Sequence, residues 1–132
     1  MTKHKILIVD DDKDFLQGLR LRLKAHDYDT VFASDVPSAL IMTRKERPDV
    51  IILDIGLPGG DGFMVMDRLR ALDTVAPIPV IILTARDPAT NRERALKAGA
   101  QAFFQKPADN NQLLAAVRKA FGNSPQRMGE RM

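Results

Sequence analysis

Cysteine is absent from all 132 residues, which removes disulfide frameworks, cysteine zinc sites and thiol catalysis, and fits a reducing compartment such as the cytoplasm. Tryptophan is absent too, and one tyrosine and six phenylalanines are too few for the stacking platform that binds single-stranded nucleic acid. No apolar stretch approaches the ~20 residues of a membrane span. Behind Lys3 and Lys5 the apolar run lasts only from Ile6 to Val9 before Asp10, Asp11 and Asp12 interrupt it, so no secretory signal core forms. A large excess of one charge is also missing: 20 Lys and Arg against 17 Asp and Glu leave +3, with a pI near 9.4. The bases are spread along every segment rather than gathered in a block. Such charges cover solvated faces, so neither direct nucleic-acid binding by this domain nor a membrane partner is expected.

What is present is the balance of a soluble globule, 45% apolar and 28% charged, at a length that suits one domain with one core. Three apolar runs are short, rich in β-branched residues and bounded by polar ones: Lys5 to Asp10, Asp49 to Asp54 and Ile78 to Thr84. They read as strands buried on both faces. Asp29 to Ser34 and Gln101 to Phe104 read as weaker strands. Between these five lie stripes at helical spacing: Phe15, Leu19 and Leu23; Ala39, Leu40 and Thr43; Phe63, Met66 and Leu69; Ala95 and Leu96; and Leu113, Leu114, Val117 and Phe121. All are expected to face the core. Ser34 or Asp35 can cap the second helix and Asp109 the last, while Gly99 and Gly122 stand where left-handed helix ends favour glycine. Strict alternation of strand and helix, with strands buried on both faces, predicts an α/β fold, a parallel sheet with helices on both sides.

In such a sheet ligands sit beyond the carboxyl ends of the strands. There the sequence offers Asp10 and Asp11, then Asp54, then Thr84, with Lys106 shortly after the fifth strand. Three carboxylates brought together repel one another, and burial raises the cost, so a hard divalent cation is their natural neutraliser. Mg²⁺ suits the set because it uses few protein carboxylates and keeps waters that a phosphate can replace. Each residue also has an ordinary reading. The aspartates can cap the first helix, Asp54 can open a turn before Pro58, Thr84 can cap the next helix, and Lys106 can be a surface lysine. Four strand ends carrying complementary charge and hydroxyl chemistry together outweigh those separate readings.

These residues resemble the receiver domains of two-component response regulators, the family that includes the chemotaxis regulators. The resemblance covers residues 4–121 and rests on Ile6-Leu-Ile-Val-Asp-Asp-Asp12, Asp54-Ile-Gly-Leu-Pro-Gly-Gly-Asp-Gly62, Val80-Ile-Ile-Leu-Thr-Ala85, Lys97-Ala-Gly-Ala100 and Phe103-Phe-Gln-Lys-Pro107. It implies a doubly wound five-stranded parallel sheet of flavodoxin-like order 2-1-3-4-5. It implies Asp54 as phosphoacceptor for a histidine kinase or histidine phosphotransfer protein. Mg²⁺ would be held by Asp11 and Asp54 directly, by Asp10 through water, and by the Gly56 carbonyl. Lys106, the Thr84 hydroxyl and the Ala85 amide would meet the phosphoryl oxygens. Thr84 and Phe103 would carry the switch to the face made by the fourth helix, fifth strand and fifth helix. A cis peptide is implied before Pro107. Gly56 departs from the larger residue common at its position, Phe103 from the usual Tyr, and Ala108 from the usual bulky residue.

The implied product is a cytoplasmic switch for a downstream protein target, monomeric or dimeric on phosphorylation, which catalyses only its own phosphorylation and dephosphorylation. A haloacid-dehalogenase-like phosphatase also orders Asp, Thr and Lys along strand ends, but Asp14 stands where it needs Thr or Val and no acidic pair follows Lys106. An EF-hand loop fails because Phe15 and Leu21 replace its Gly and Glu. His4 and His26 read as isolated surface residues. Met1 so near the first strand suggests a natural start, and residues 122–132 read as a tail or the beginning of a linker.

Overall fold

The computed structural model describes residues 4–58, 61–71 and 77–122. The described elements are β1 (Lys5–Val9), α1 (Lys13–Ala25), β2 (Asp29–Ala33), α2 (Val36–Glu46), β3 (Val50–Leu53), α3 (Gly62–Arg70), β4 (Val80–Thr84), α4 (Pro88–Lys97), β5 (Ala102–Gln105) and α5 (Asn110–Gly122). All strand pairs are parallel, in the order β2-β1-β3-β4-β5. The expected fold is therefore the observed one. The strands differ from their sequence-based bounds by one or two residues: Asp10, Ser34, Asp49, Asp54, Ile78, Pro79 and Gln101 fall outside them, and Gln105 joins β5.

Side chains alternate across a strand, and here each alternate set finds its own apolar partner. Ile6, Ile8, Val50, Ile52, Ile81 and Leu83 pack with Leu19 and Leu23 of α1 and with Leu113, Val117 and Phe121 of α5. Leu7, Val9, Ile51, Leu53 and Ile82 pack on the other face with Ala39 of α2, Phe63 and Met66 of α3, and Ala95 of α4. That is why these runs show no polar alternation: neither face meets water. Leu96 corrects the expectation of a core residue, at 40% exposure. The slim α4 meets the sheet through Ala95 and Ala98 instead.

An aspartate opens every described helix. Asp12, Asp35, Asp61 and Asp87 each accept a backbone N–H in the first turn of α1 to α4, and Asp109 accepts those of Asn111 and Gln112 in α5. These contacts satisfy amides that the helix cannot pair itself. Asp35 forms a reciprocal box with Ser38, whose hydroxyl and amide hold its carboxyl below the usual range. Gly99 takes the left-handed conformation after α4, with φ 107°. Gly122 does not; it is the last helical residue of α5, since the apolar stripe ending at Phe121 keeps that turn packed. His4 is also a correction. Its ring stacks on Phe121 at 4.4 Å, with Nδ1 3.9 Å from Asp49, so it belongs to the base of the sheet rather than to open surface, whereas His26 is exposed at the end of α1.

The helix α3 begins directly beneath the loop that leaves β3. The Gly62 amide donates to the Ile55 carbonyl at 3.0 Å, and a Cβ at Gly62 would stand 2.7 Å from Ile55 Cα and 2.9 Å from the Asp54 carbonyl oxygen. Both obstacles are backbone, so a side chain has nowhere to go. Gly62→Ala is expected to lower stability by roughly 1–3 kcal/mol through overpacking, measured by thermal or urea unfolding. A melting temperature equal to that of the unmodified protein would show that the loop yields freely.

Candidate functional site

The strand order places β1 and β3 side by side, while the chain leaves β1 toward β2 and leaves β3 toward β4. Loops diverging from neighbouring strands open a crevice at their carboxyl ends. Two backbone bonds fix its floor: the Asp10 amide donates to Ala33 at 3.0 Å and the Asp54 amide to Val9 at 2.9 Å. Asp10 and Asp54 are thereby held next to each other with almost no solvent exposure, 2% and 8%. Asp11 is exposed, yet one oxygen from each of Asp10, Asp11 and Asp54 lies within 4.8 Å of the others.

Donors surround the two buried carboxylates. Asp54 Oδ1 accepts from the Gly56 amide at 2.8 Å and from Thr84 Oγ1 at 2.7 Å, and the Arg86 amide in turn donates to Thr84 Oγ1 at 3.3 Å. Lys106 Nζ donates to Asp10 Oδ2 at 2.6 Å and to Asp54 Oδ2 at 3.3 Å. Asp10 Oδ1 accepts from the Asp12 amide at 2.9 Å. Lys106 itself is carried inward from the end of β5 by the bond of its amide to the Thr84 carbonyl, 2.8 Å, and the peptide to Pro107 is cis.

Burial raises the Asp10 pKa above its ordinary value, and the Asp54 charge adds to it. The Lys106 and Asp12 hydrogen bonds and the Lys106 charge oppose the rise without cancelling it. Burial alone would lower the Lys106 pKa, but the hydrogen bonds and charges of Asp10 and Asp54 together raise it. The lysine therefore stays cationic while the cost of charging Asp10 is only partly offset.

The structure gathers Asp10, Asp11, Asp54, Thr84 and Lys106 into one site. Gly56 lies half-buried beside them, and a Cβ there would be 3.5 Å from Asp54 Oδ1 and 3.4 Å from Arg86 Nε. Ala85 is exposed at the rim. Phe103 is not at the site; at 5% exposure it packs in the core cluster with Ile82 and Ala95. Two contacts lie outside the sequence reading. The Phe15 ring, packed against the core as expected, also has its centroid 4.0 Å from Lys106 Nζ, and Gly62 has no room for a Cβ against the backbone of Asp54. The only signal for the first is that Phe15 falls one turn after the acidic run, which sets it on the site side of α1.

Three carboxylates, one hydroxyl and one ammonium at a crevice can bind a divalent cation and an anion with polar oxygens. A family model described as the response regulator receiver domain matches residues 6–118. The response regulator PleD of Caulobacter vibrioides is 40% identical over 114 residues, 86% of this chain and 25% of PleD. MprA, a response regulator of Mycobacterium leprae, is 39% identical over 86% of this chain and 49% of its own length. The chain thus spans about a quarter to a half of these curated relatives. The beryllofluoride-activated receiver domain of Klebsiella pneumoniae RstA superposes with TM-score 0.83 at 31% identity, covering 89% of this chain and 98% of that one.

The raised Asp10 pKa has a consequence for stability. A carboxyl that holds its proton more firmly when folded adds stability below its unfolded pKa and loses it as pH rises through the folded value. Asp10→Asn is neutral throughout and escapes that loss. It is expected to melt above the unmodified protein near neutral pH without metal, and to gain less from added divalent cation, in calorimetry across pH 4 to 8. A lower melting temperature for the variant in metal-free buffer would refute the reading.

Proposed function

Because this chain belongs to the response regulator receiver domain family, we propose that it is a phosphoryl-accepting switch whose acceptor is Asp54, charged by a histidine kinase or histidine phosphotransfer protein. The observation that carries this reading is the setting of the Asp54 carboxylate. It is a buried carboxylate at the crevice, with Oδ1 tied by two donors and Oδ2 turned toward the Lys106 ammonium.

In the proposed reaction an Asp54 carboxylate oxygen forms the new bond to phosphorus. The bond from phosphorus to the donor atom breaks, and its electron pair leaves with the donor. Such a transfer asks the protein mainly for alignment and charge stabilisation. Lys106 has N–H donors to turn from carboxylate to phosphoryl oxygens, and the Thr84 hydroxyl, buried beside Asp54, and the amide of the adjoining Ala85 would donate to them as well. The oxygen-rich acidic cluster fits Mg²⁺, with Asp11 and Asp54 as direct ligands, Asp10 through water and the Gly56 carbonyl as a further donor. When bound, the ion would neutralise negative charge on the transferring group. In this reading the domain catalyses only its own phosphorylation and dephosphorylation.

Thr84 is the first element of the proposed switch, since its hydroxyl now satisfies Asp54 and a phosphoryl group would compete for it. Phe103, already inside the core beside β4, supports the shifted arrangement rather than swinging in. The face of α4, β5 and α5 then meets a downstream protein target, as a monomer or a phosphorylation-dependent dimer. Residues 4–121 act as the receiver unit, and 122–132 as a tail or linker whose residues beyond 122 lie outside those described. None of the described helices is long and apolar enough to cross a membrane, and the proposed location is the cytoplasm.

Acetyl phosphate with Mg²⁺ is expected to add one phosphoryl group to the intact protein, seen by mass spectrometry, and Asp54→Asn or EDTA to prevent it. Labelling that survives in Asp54→Asn would overturn the assignment. For the switch, Thr84→Ala is expected to bind beryllofluoride at Asp54 yet show smaller NMR shift changes across α4, β5 and α5, and Phe103→Ala to weaken them as well. Equal changes in all three proteins would show that neither residue transmits the signal.

A further inference from the structure

Lysine carries its charge on a flexible four-carbon stem, and fixing that stem costs up to about 2 kcal/mol of rotamer entropy. Something must therefore hold Lys106 over the acidic pair. Its ammonium has three N–H donors; Asp10 and Asp54 face it from one side, at 2.6 Å and 3.3 Å. Phe15 adds a ring face 4.0 Å from Nζ, and only 18% of the lysine side chain remains exposed. We propose that Phe15 is a positioning residue for Lys106, its ring holding the ammonium at Asp54 by cation–π attraction during phosphoryl transfer. The inference rests on the reading of Asp54 as phosphoacceptor.

Three observations make the ring more than a chance neighbour. Phe15 is tied to the acidic loop: Asp10 Oδ1 accepts from the Asp12 amide at 2.9 Å, and Asp12 Oδ1 accepts from the Phe15 amide at 3.1 Å. The first turn of α1 that carries the ring is thus joined to the Asp10 carboxylate by one chain of hydrogen bonds. Next, a ring face attracts a cation without fixing the directions of its N–H groups. Lys106 can therefore turn its donors to an incoming phosphoryl group without leaving the ring, whereas a fourth carboxylate would compete with the phosphate for it. Finally, Phe15 borders a groove of about 270 Å³ between α1 and α5, lined also by Leu19, Arg22, Pro107 and Leu113. It stands between that groove and the ammonium, limiting hydration of the charge from this direction.

The test replaces Phe15 in the full chain with mono-, di- and trifluorophenylalanine, which weaken the ring's negative face stepwise while keeping its shape and apolar character. Phe15→Leu and Phe15→Trp complete the set. The readout is the rate of Asp54 labelling by acetyl phosphate at saturating Mg²⁺, with melting temperatures recorded alongside. The rate is expected to fall with each fluorine, by about two- to thirtyfold in total, the span between exposed and desolvated cation–π contacts. Phe15→Leu should match the trifluoro protein, and Phe15→Trp, with groove space for the larger ring, should recover most of the loss. Equal rates across a labelled fluorine series would overturn the inference alone, as would a loss in Phe15→Leu that the trifluoro protein does not share, which marks plain packing. A wild-type protein unlabelled at Asp54 would overturn the phosphoacceptor reading and this inference together.

Discussion

The structure turns on two buried carboxylates, Asp10 and Asp54, bridged by one lysine. Burial disfavours the Asp10 charge and the Asp54 charge adds to that cost, while Lys106 supplies a single positive charge between the two. A buried pair of like charges persists only where surrounding structure enforces it. Here the enforcement is backbone: adjacent parallel strands β1 and β3 end in register, Val9 opposite Leu53, and the next residue of each is an aspartate. The site is therefore a store of unfavourable electrostatics that a bound cation would relieve.

Aspartate does two jobs along this edge, and burial separates them. Asp12, Asp35, Asp61, Asp87 and Asp109 accept helix amides near the surface, where their charge suits the positive end of a helix and costs little. Asp10 and Asp54 sit one or more residues earlier, inside the crevice. The run Asp10 to Asp12 holds both uses in three positions: a buried carboxylate bonded to Lys106, an exposed one near the cluster, and a cap for α1. A motif of adjacent acids thus distributes itself by depth.

Beyond the site, α4 is joined to α3 by polar contacts rather than by a deep apolar face. Arg94 lies 3.8 Å over the Phe63 ring, and Arg70 donates to the Lys97 carbonyl at 3.3 Å. Phe63 follows Gly62, whose amide donates to the Ile55 carbonyl next to Asp54. A helix anchored by Ala95 and a few such contacts is less rigidly held than α1 or α5, each of which buries leucines against the sheet.

Much was legible in the sequence because it depends on local chemistry. The β-branched runs without polar alternation determined strands buried on both faces, and alternation with helical stripes determined a parallel sheet. The order Asp10, Asp11, Asp54, Thr84, Lys106 along strand ends determined which residues would converge. Gly99 was readable from its place after a helix; Gly122 was not, since packing of Phe121 kept its turn helical. Tertiary structure decided what local pattern cannot encode: that Asp10 is buried while Asp11 is exposed, and that His4 stacks on Phe121 rather than lying free. It also decided that Phe15, packed against the apolar core as its stripe predicts, also meets Lys106, residues 91 positions apart. The reason is geometric. Periodicity fixes the direction in which a side chain leaves its own helix or strand, but the group it meets there belongs to another segment, brought in only when the sheet assembles.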